Sequence, residues 1–119
     1  MNIEEYRLYC ISKKGVTESF PFPKLQNVLV FKVLDKMFTA TDIDTFRSIS
    51  VKADSNTIDE LRIKYNCLTT QPYMSKKHWN KIIIDNSVSD NLIYQWIDDS
   101  YNLVVKNMTK NQVQELKLL

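Results

Sequence analysis

Glycine is almost missing from this chain: Gly15 is the only one among 119 residues. Loops that cradle phosphates on backbone amides need several glycines at fixed spacing, so nucleotide-binding motifs of that kind are excluded. Three prolines are too few for a collagen-like or linker-like chain. His78 is the single histidine, and Cys10 and Cys67 are the only cysteines. That inventory excludes a zinc ribbon, a His-rich metal site and a disulfide scaffold. Long apolar runs are also lacking. The longest, Val28-Leu29-Val30-Phe31, falls far short of the roughly 20 residues a membrane span needs. The first residues, Met1-Asn2-Ile3-Glu4-Glu5, have neither the basic nor the apolar region of a secretion signal. Unpaired cysteines without such a signal suit a reducing compartment, so a cytoplasmic location is expected, with no membrane contact.

What is present suits one folded domain spanning residues 1–119. Hydrophobic residues make up 44% of the chain, aromatics 11% and charged residues 25%. That composition can bury a core without a metal, cofactor or disulfide. The predicted radius of gyration is about 13–14 Å. The formal net charge is only +2, but it is unevenly distributed. Between Leu61 and Ile84 lie Arg62, Lys64, Lys76, Lys77 and Lys81 with no acid. Between Asp85 and Val105 lie Asp85, Asp90, Asp98 and Asp99 with no base. Such blocks either screen each other as neighbours in the fold, the more common outcome, or leave a basic surface that steers an anionic partner.

The spacing predicts a first helix opened by an Asn2/Glu5 capping box, with Ile3, Tyr6 and Cys10 inward, stopped at Lys13-Lys14-Gly15. The segment Ser19-Phe20-Pro21-Phe22-Pro23 reads as an extended edge piece, since proline removes a ladder donor. Asn27–Val33 reads as a buried strand, with a tight turn at Asp35-Lys36 leading into Met37–Thr41. A third strand is expected over Thr45–Lys52. Thr57 and Glu60 suggest a second capping box, opening a helix whose inward stripe is Ile58, Leu61 and Tyr65 and which ends near Asn66. Pro72 interrupts, and Trp79–Asp85 alternates as another strand. Ser89 opens a long helix with Leu92, Ile93, Trp96, Ile97, Ser100 and Val104 on one stripe. Thr109 and Gln112 cap a short last helix. This order predicts an α+β fold of two layers, an antiparallel sheet with helices on one face. Phe31, Phe38, Ile58, Leu61, Trp96, Ile97 and Val104 are the expected core.

Catalytic machinery is hard to assemble from these residues. His78 has no Ser or Cys beside it in a recognisable nucleophile motif. Asp42-Ile43-Asp44 could chelate a cation, but paired carboxylates between strands more commonly organise the turn itself. Asp98 and Asp99 are adjacent on a helix and point about 100° apart, so they do not form an acid–base pair. Cys10 reads as a small buried hydrophobe, whereas Cys67 falls in a basic loop where an exposed thiol would be mildly reactive. The chain is therefore expected not to be an enzyme and to hold neither metal nor cofactor. The most informative stretch is Tyr73-Met74-Ser75-Lys76-Lys77-His78-Trp79-Asn80-Lys81. It interleaves lysines that can contact phosphates with Ser and Asn that can hydrogen-bond them, and with aromatic faces that can stack on bases. The opposing reading places Trp79 in the core and leaves the lysines merely solvated.

Together, Ser19-Phe20-Pro21-Phe22, Val30-Phe31-Lys32-Val33 with Lys36-Met37-Phe38, Ser50-Val51-Lys52-Ala53-Asp54, Tyr73 through Asn80, and Leu92 to Val105 with Asp98-Asp99-Ser100-Tyr101 resemble the MmcQ/YjbR family. The resemblance implies a small bacterial cytoplasmic protein with a two-layer α+β fold like that of the frataxin-like protein CyaY. It also implies DNA binding, by a sheet arrangement likened to a double wing. Pro23 and Leu34-Asp35 stand where the family usually has glycine. An iron-binding acidic ridge does not carry over, because the first helix offers only Glu4 and Glu5. The expected function is thus non-enzymatic binding of DNA through Lys76, Lys77, His78, Lys81, Arg62, Lys64, Tyr73 and Asn80. The alternatives are a protein-interaction or chaperone-like adaptor using the sheet face, and a small-molecule site lined by Phe22, Tyr73 and Trp79. The expected assembly is a monomer or weak homodimer.

Overall fold

A computed structural model describes residues 1–119. In chain order the elements are α1 (Ile3–Ile11), β1 (Val16–Ser19), β2 (Val28–Val33), β3 (Lys36–Asp42), β4 (Ser48–Lys52), α2 (Ile58–Lys64), β5 (Leu68–Thr69), β6 (Trp79–Ile83), α3 (Asp90–Lys106) and α4 (Lys110–Lys117). The strands form one antiparallel sheet in the order β1-β2-β3-β4-β6-β5. The expected two-layer α+β fold is therefore the one observed, with a radius of gyration of 13.9 Å. No helix is long and apolar enough to cross a membrane.

Side-chain chemistry explains most of the element ends. Asn2 and Glu5 form the capping box that starts α1, and Thr109 and Gln112 form the one that starts α4. Ser89 caps α3 by accepting the Leu92 amide. Thr57 does not cap α2 through its side chain, contrary to the expected capping box. Its backbone is already helical, and Asp54 begins the turn by accepting the Thr57 and Ile58 amides on its carbonyl. That helix ends at Lys64, short of Asn66. The edge strand is Val16–Ser19, and the prolines lie beyond its end where no ladder donor is required. The β2–β3 hairpin turns at Leu34 and Asp35, one residue earlier than expected, with φ of 45° and 67°. Two consecutive positive φ values are what a tight hairpin demands. Leu34 and Asp35 therefore adopt the backbone that glycine would take more readily.

Register divides the sheet into two faces. Leu29, Phe31, Val33, Ile49, Val51 and Ile82 share one core with Tyr6 and Cys10 of α1, Ile93, Trp96, Ile97 and Val104 of α3, and Leu116 of α4. Phe38 joins them through a bulge. The β2–β3 register passes from Phe31↔Thr39 to Lys32↔Met37, so Phe38 is the extra residue and points inward beside Thr39. Of the expected core, Leu61 is only half-buried at the margin, because α2 flanks the sheet and does not cross its centre. The other residues of that set are buried. On the face away from the helices, Ser19, Val30, Ala40, Ser50, Lys81 and Thr69 form one continuous row.

Both cysteines are buried. Cys67, expected in an exposed loop, is 1% exposed, because it precedes β5 and its carbonyl accepts the Ile83 amide, which draws it into the sheet. Burial pushes the Cys10 thiol up to about 12. Neither thiol should therefore react with an Ellman-type reagent at pH 8 in the native protein, and both should react once it is denatured; rapid native labelling would contradict this packing. Trp96→Ala, which empties the centre of the α3 contact, should destabilise the fold by about 3–5 kcal/mol in denaturant melts. Ser100 lies one helical turn further on. Its hydroxyl donates to the Phe38 carbonyl and accepts from the Lys52 amide. Ser100→Ala should cost about 1–3 kcal/mol by stranding those two backbone groups.

Candidate nucleic-acid interface

The chain between β5 and β6 is two consecutive turns, each explained by its residues. Pro72 presets the backbone of the first, in which the Met74 amide donates to the Gln71 carbonyl at 3.1 Å. The Gln71 side chain donates to the Ser50 hydroxyl at 2.8 Å, which anchors this turn on the sheet face away from the helices. Tyr73 sits at its tip with 87% of its surface exposed. In the second turn, the Ser75 carbonyl accepts from the amides of His78 and Trp79 at 3.2 and 3.0 Å. The Ser75 hydroxyl also accepts the Lys77 amide at 3.3 Å, the local bonding that favours serine in turns.

This second turn is held from two further sides. The Ala53 amide, just past β4, donates to the His78 carbonyl at 2.9 Å. Arg62 of α2 reaches over from the other layer with a planar fork of donors. Its Nε donates to Asn80 Oδ1 at 2.7 Å, and its Nη2 donates to the carbonyls of Lys76 and Trp79 at 2.6 and 2.8 Å. Arg62 and Asn80 are therefore not the ligand-contacting residues that charge and side-chain type led us to expect. Asn80 is 1% exposed and faces the helix layer. The Arg62 side chain is only 17% exposed, its Nε and Nη2 donors are occupied by the turn, and its Nη1 pairs with Asp59 at 3.4 Å. Both serve as supports for the turn.

The remaining predicted residues are placed as follows. Lys76, Lys77 and His78 are exposed together on the second turn. Lys81 lies two residues into β6, half-buried on the face away from the helices, opposite Ser50. Lys64 is exposed at the end of α2, with its ammonium 5.3 Å from the centre of the Tyr65 ring, and is not part of the turn. Trp79 lies outside the core cluster: it pairs with Lys52 on the outer face, which overturns the reading that buries it. That pairing adds Lys52 to the surface. Alternation along Ser50-Val51-Lys52 could have placed it outward, but its position beside Trp79 depends on a strand register formed across 26 intervening residues.

No acid of the following block pairs with a lysine of this surface. The Asp98 carboxylate pairs with Lys13 and accepts the Tyr9 hydroxyl at 2.7 and 2.8 Å. Burial and that carboxylate together push the Tyr9 hydroxyl up to about 12. Asp90 pairs with the N-terminal ammonium, Asp99 accepts from Gln95, and Asp85 accepts from the Ser87 amide. Lys52, Lys76, Lys77 and Lys81 are in no ion pair. Asp42 organises its own turn by accepting the amides of Asp44 and Thr45. The two main cavities, of about 50 and 430 Å³, include neither Phe22, Tyr73 nor Trp79; the smaller lies at the end of β4, lined by Lys52 and Asn80 together with Asp54 and Asp99.

Comparison with known proteins places these features in a family context. Residues 11–103 match the YjbR family model. The Escherichia coli (strain K12) protein described as "Uncharacterized protein YjbR" is 26% identical over 106 residues, covering 88% of each chain. The crystal structure of the Deinococcus radiodurans protein DR2400, described by the domain name DUF419, is 32% identical with a TM-score of 0.88, covering 98% of this chain and 88% of that one. A Pseudomonas syringae protein solved by structural genomics shares the fold at 22% identity, with a TM-score of 0.73 over 87% of this chain and 98% of its own.

The Arg62 fork has a direct test. Arg62→Lys keeps the charge but cannot reach three acceptors in one plane, so it should cost about 1–3 kcal/mol of stability. Hydrogen exchange at the His78 and Trp79 amides should accelerate in the same variant. Unchanged exchange would show that the turn holds without the fork.

Proposed function

This chain belongs to the YjbR family, and on that premise we propose that it is a non-enzymatic DNA-binding protein contacting backbone phosphates through the Ser75–Trp79 turn. The observation that carries the reading is the pairing pattern. Lys76, Lys77 and Lys81 have no carboxylate partner, and of the acids in the following segment Asp90 and Asp98 pair with other cations. Cations held this way keep their full attraction for phosphate, and counterion release then supplies the affinity. The turn's many backbone bonds support the same reading, because a pre-ordered loop loses little entropy on binding.

The non-enzymatic part of the proposal rests on where the perturbed groups lie. Tyr6, Tyr9 and Cys10, whose pKa values are raised chiefly by burial, belong to α1 and its contacts with the sheet and α3, in the opposite layer from Tyr73 and Lys81. Their protonation is a consequence of packing, and none of them adjoins the basic turn.

Binding to a short DNA duplex should weaken with salt at a log–log slope of about −0.9 per phosphate contacted. Three contacts give a slope of about −2.7, with micromolar or weaker affinity at physiological salt. Replacing Lys76, Lys77 and Lys81 with Ala should flatten the slope while leaving the melting curve nearly unchanged, since Lys76 and Lys77 are exposed and the half-buried Lys81 is in no ion pair. Absence of binding to duplex and single-stranded DNA alike at about 50 mM salt, where phosphate contacts are strong, would overturn the proposal and favour an adaptor that binds protein through the sheet face.

A further inference from the structure

We propose that the DNA bound here is single-stranded, lying along the β4–β6 side of the outer sheet face with its bases stacked on Tyr73 and Trp79. This rests on the DNA-binding reading and specifies its ligand. The first ground is aromatic. Tyr73 holds a large ring in water at 87% exposure, at the tip of a turn anchored by Pro72 and by the Gln71–Ser50 bond. Trp79 presents part of a second ring on the outer face, half-buried but outside the core. In a duplex the base faces are already stacked within the helix, so these rings would meet only sugar and phosphate. In a single strand the bases are free to stack on them, whatever their sequence.

The second ground is the placement of charge. Lys52 lies directly across from Trp79, and Lys81 follows Trp79 by two residues on the same face. Lys52 and Lys81 are thus diagonal neighbours on adjacent strands, about 7–8 Å apart, with the Trp79 ring between them. Lys76 and Lys77 prolong the cationic track from the end of β6 onto the turn. None of these four lysines is in an ion pair. The surface is thus complementary to a polyanion whose bases are exposed, which a duplex is not.

The test compares a labelled oligothymidylate of about 12 nucleotides with a blunt duplex of the same length, at about 50 mM salt. The single strand should bind at least about fivefold more tightly. Tyr73→Ala, at an exposed position where truncation leaves the fold unaffected, should weaken the single strand by about 5- to 150-fold and leave the duplex unchanged. The oligothymidylate should also quench tryptophan fluorescence, and Trp79→Phe should abolish the quench, because Trp96 is buried. Equal or tighter duplex binding, or a Tyr73→Ala variant that holds the single strand as well as wild type, would overturn the single-strand proposal. The salt-dependent duplex binding would in that case still stand for DNA binding through the turn. Failure of both nucleic acids to bind would overturn both readings.

Discussion

One hydroxyl joins the two layers at the point where the sheet is irregular. The bulge at Phe38 turns that ring into the core but ends the regular β3–β4 ladder at Thr39 and Val51. Beyond it, the Phe38 carbonyl and the Lys52 amide are bridged by the Ser100 hydroxyl of α3. Unpaired buried backbone groups cost about as much as a lost hydrogen bond, so the bulge and the serine are stable only together. Their partnership sets how α3 sits along the sheet and where β4 ends. Ala53, the next residue, supplies the amide that holds the His78 carbonyl. A core serine and a surface turn are in this way two bonds of the same segment.

Cations in the basic stretch divide into two kinds. Arg62 offers a planar fork with several donors, and a fork suits carbonyls arranged around a turn. It is drawn inward, where it satisfies the Lys76 and Trp79 carbonyls and the Asn80 amide oxygen. The lysines carry compact, strongly hydrated charges on flexible stems and stay in water. Equal formal charge therefore leads to opposite uses, one structural and one available to a ligand. The same division occurs on the far side of the molecule. There Lys13 packs within 4.8 Å of the Tyr9 ring centre and 5.2 Å of the Tyr101 ring centre while pairing with Asp98, and so helps to fasten α1 to α3. Charge that looks segregated along the chain is thus partly consumed by packing and partly left free, and only the free part can steer a polyanion.

Local patterns determined a large part of this protein. Capping residues Asn2, Ser89 and Thr109 start their helices, because the side-chain oxygen and the amide it accepts lie within one turn of chain. The stripe from Ile93 to Val104 identifies the buried face of α3 by its 3.6-residue period. Apolar β-branched runs locate β2 and β3, and the lysine-rich stretch before β6 marks the surface turn. Tertiary structure decided what depends on residues far apart in sequence. Thr57 does not cap because Asp54 sets the turn before it, and Cys67 is buried because β5 docks on β6. Trp79 faces outward beside Lys52 because the β4–β6 register, unlike the alternation within each strand, arises from contacts that no short window contains. For the same reason the sequence could mark Arg62 and Asn80 as polar but could not reveal that they bond to each other. A hydrogen bond across 18 residues exists only once two layers have packed and excluded the water that would otherwise have satisfied both groups.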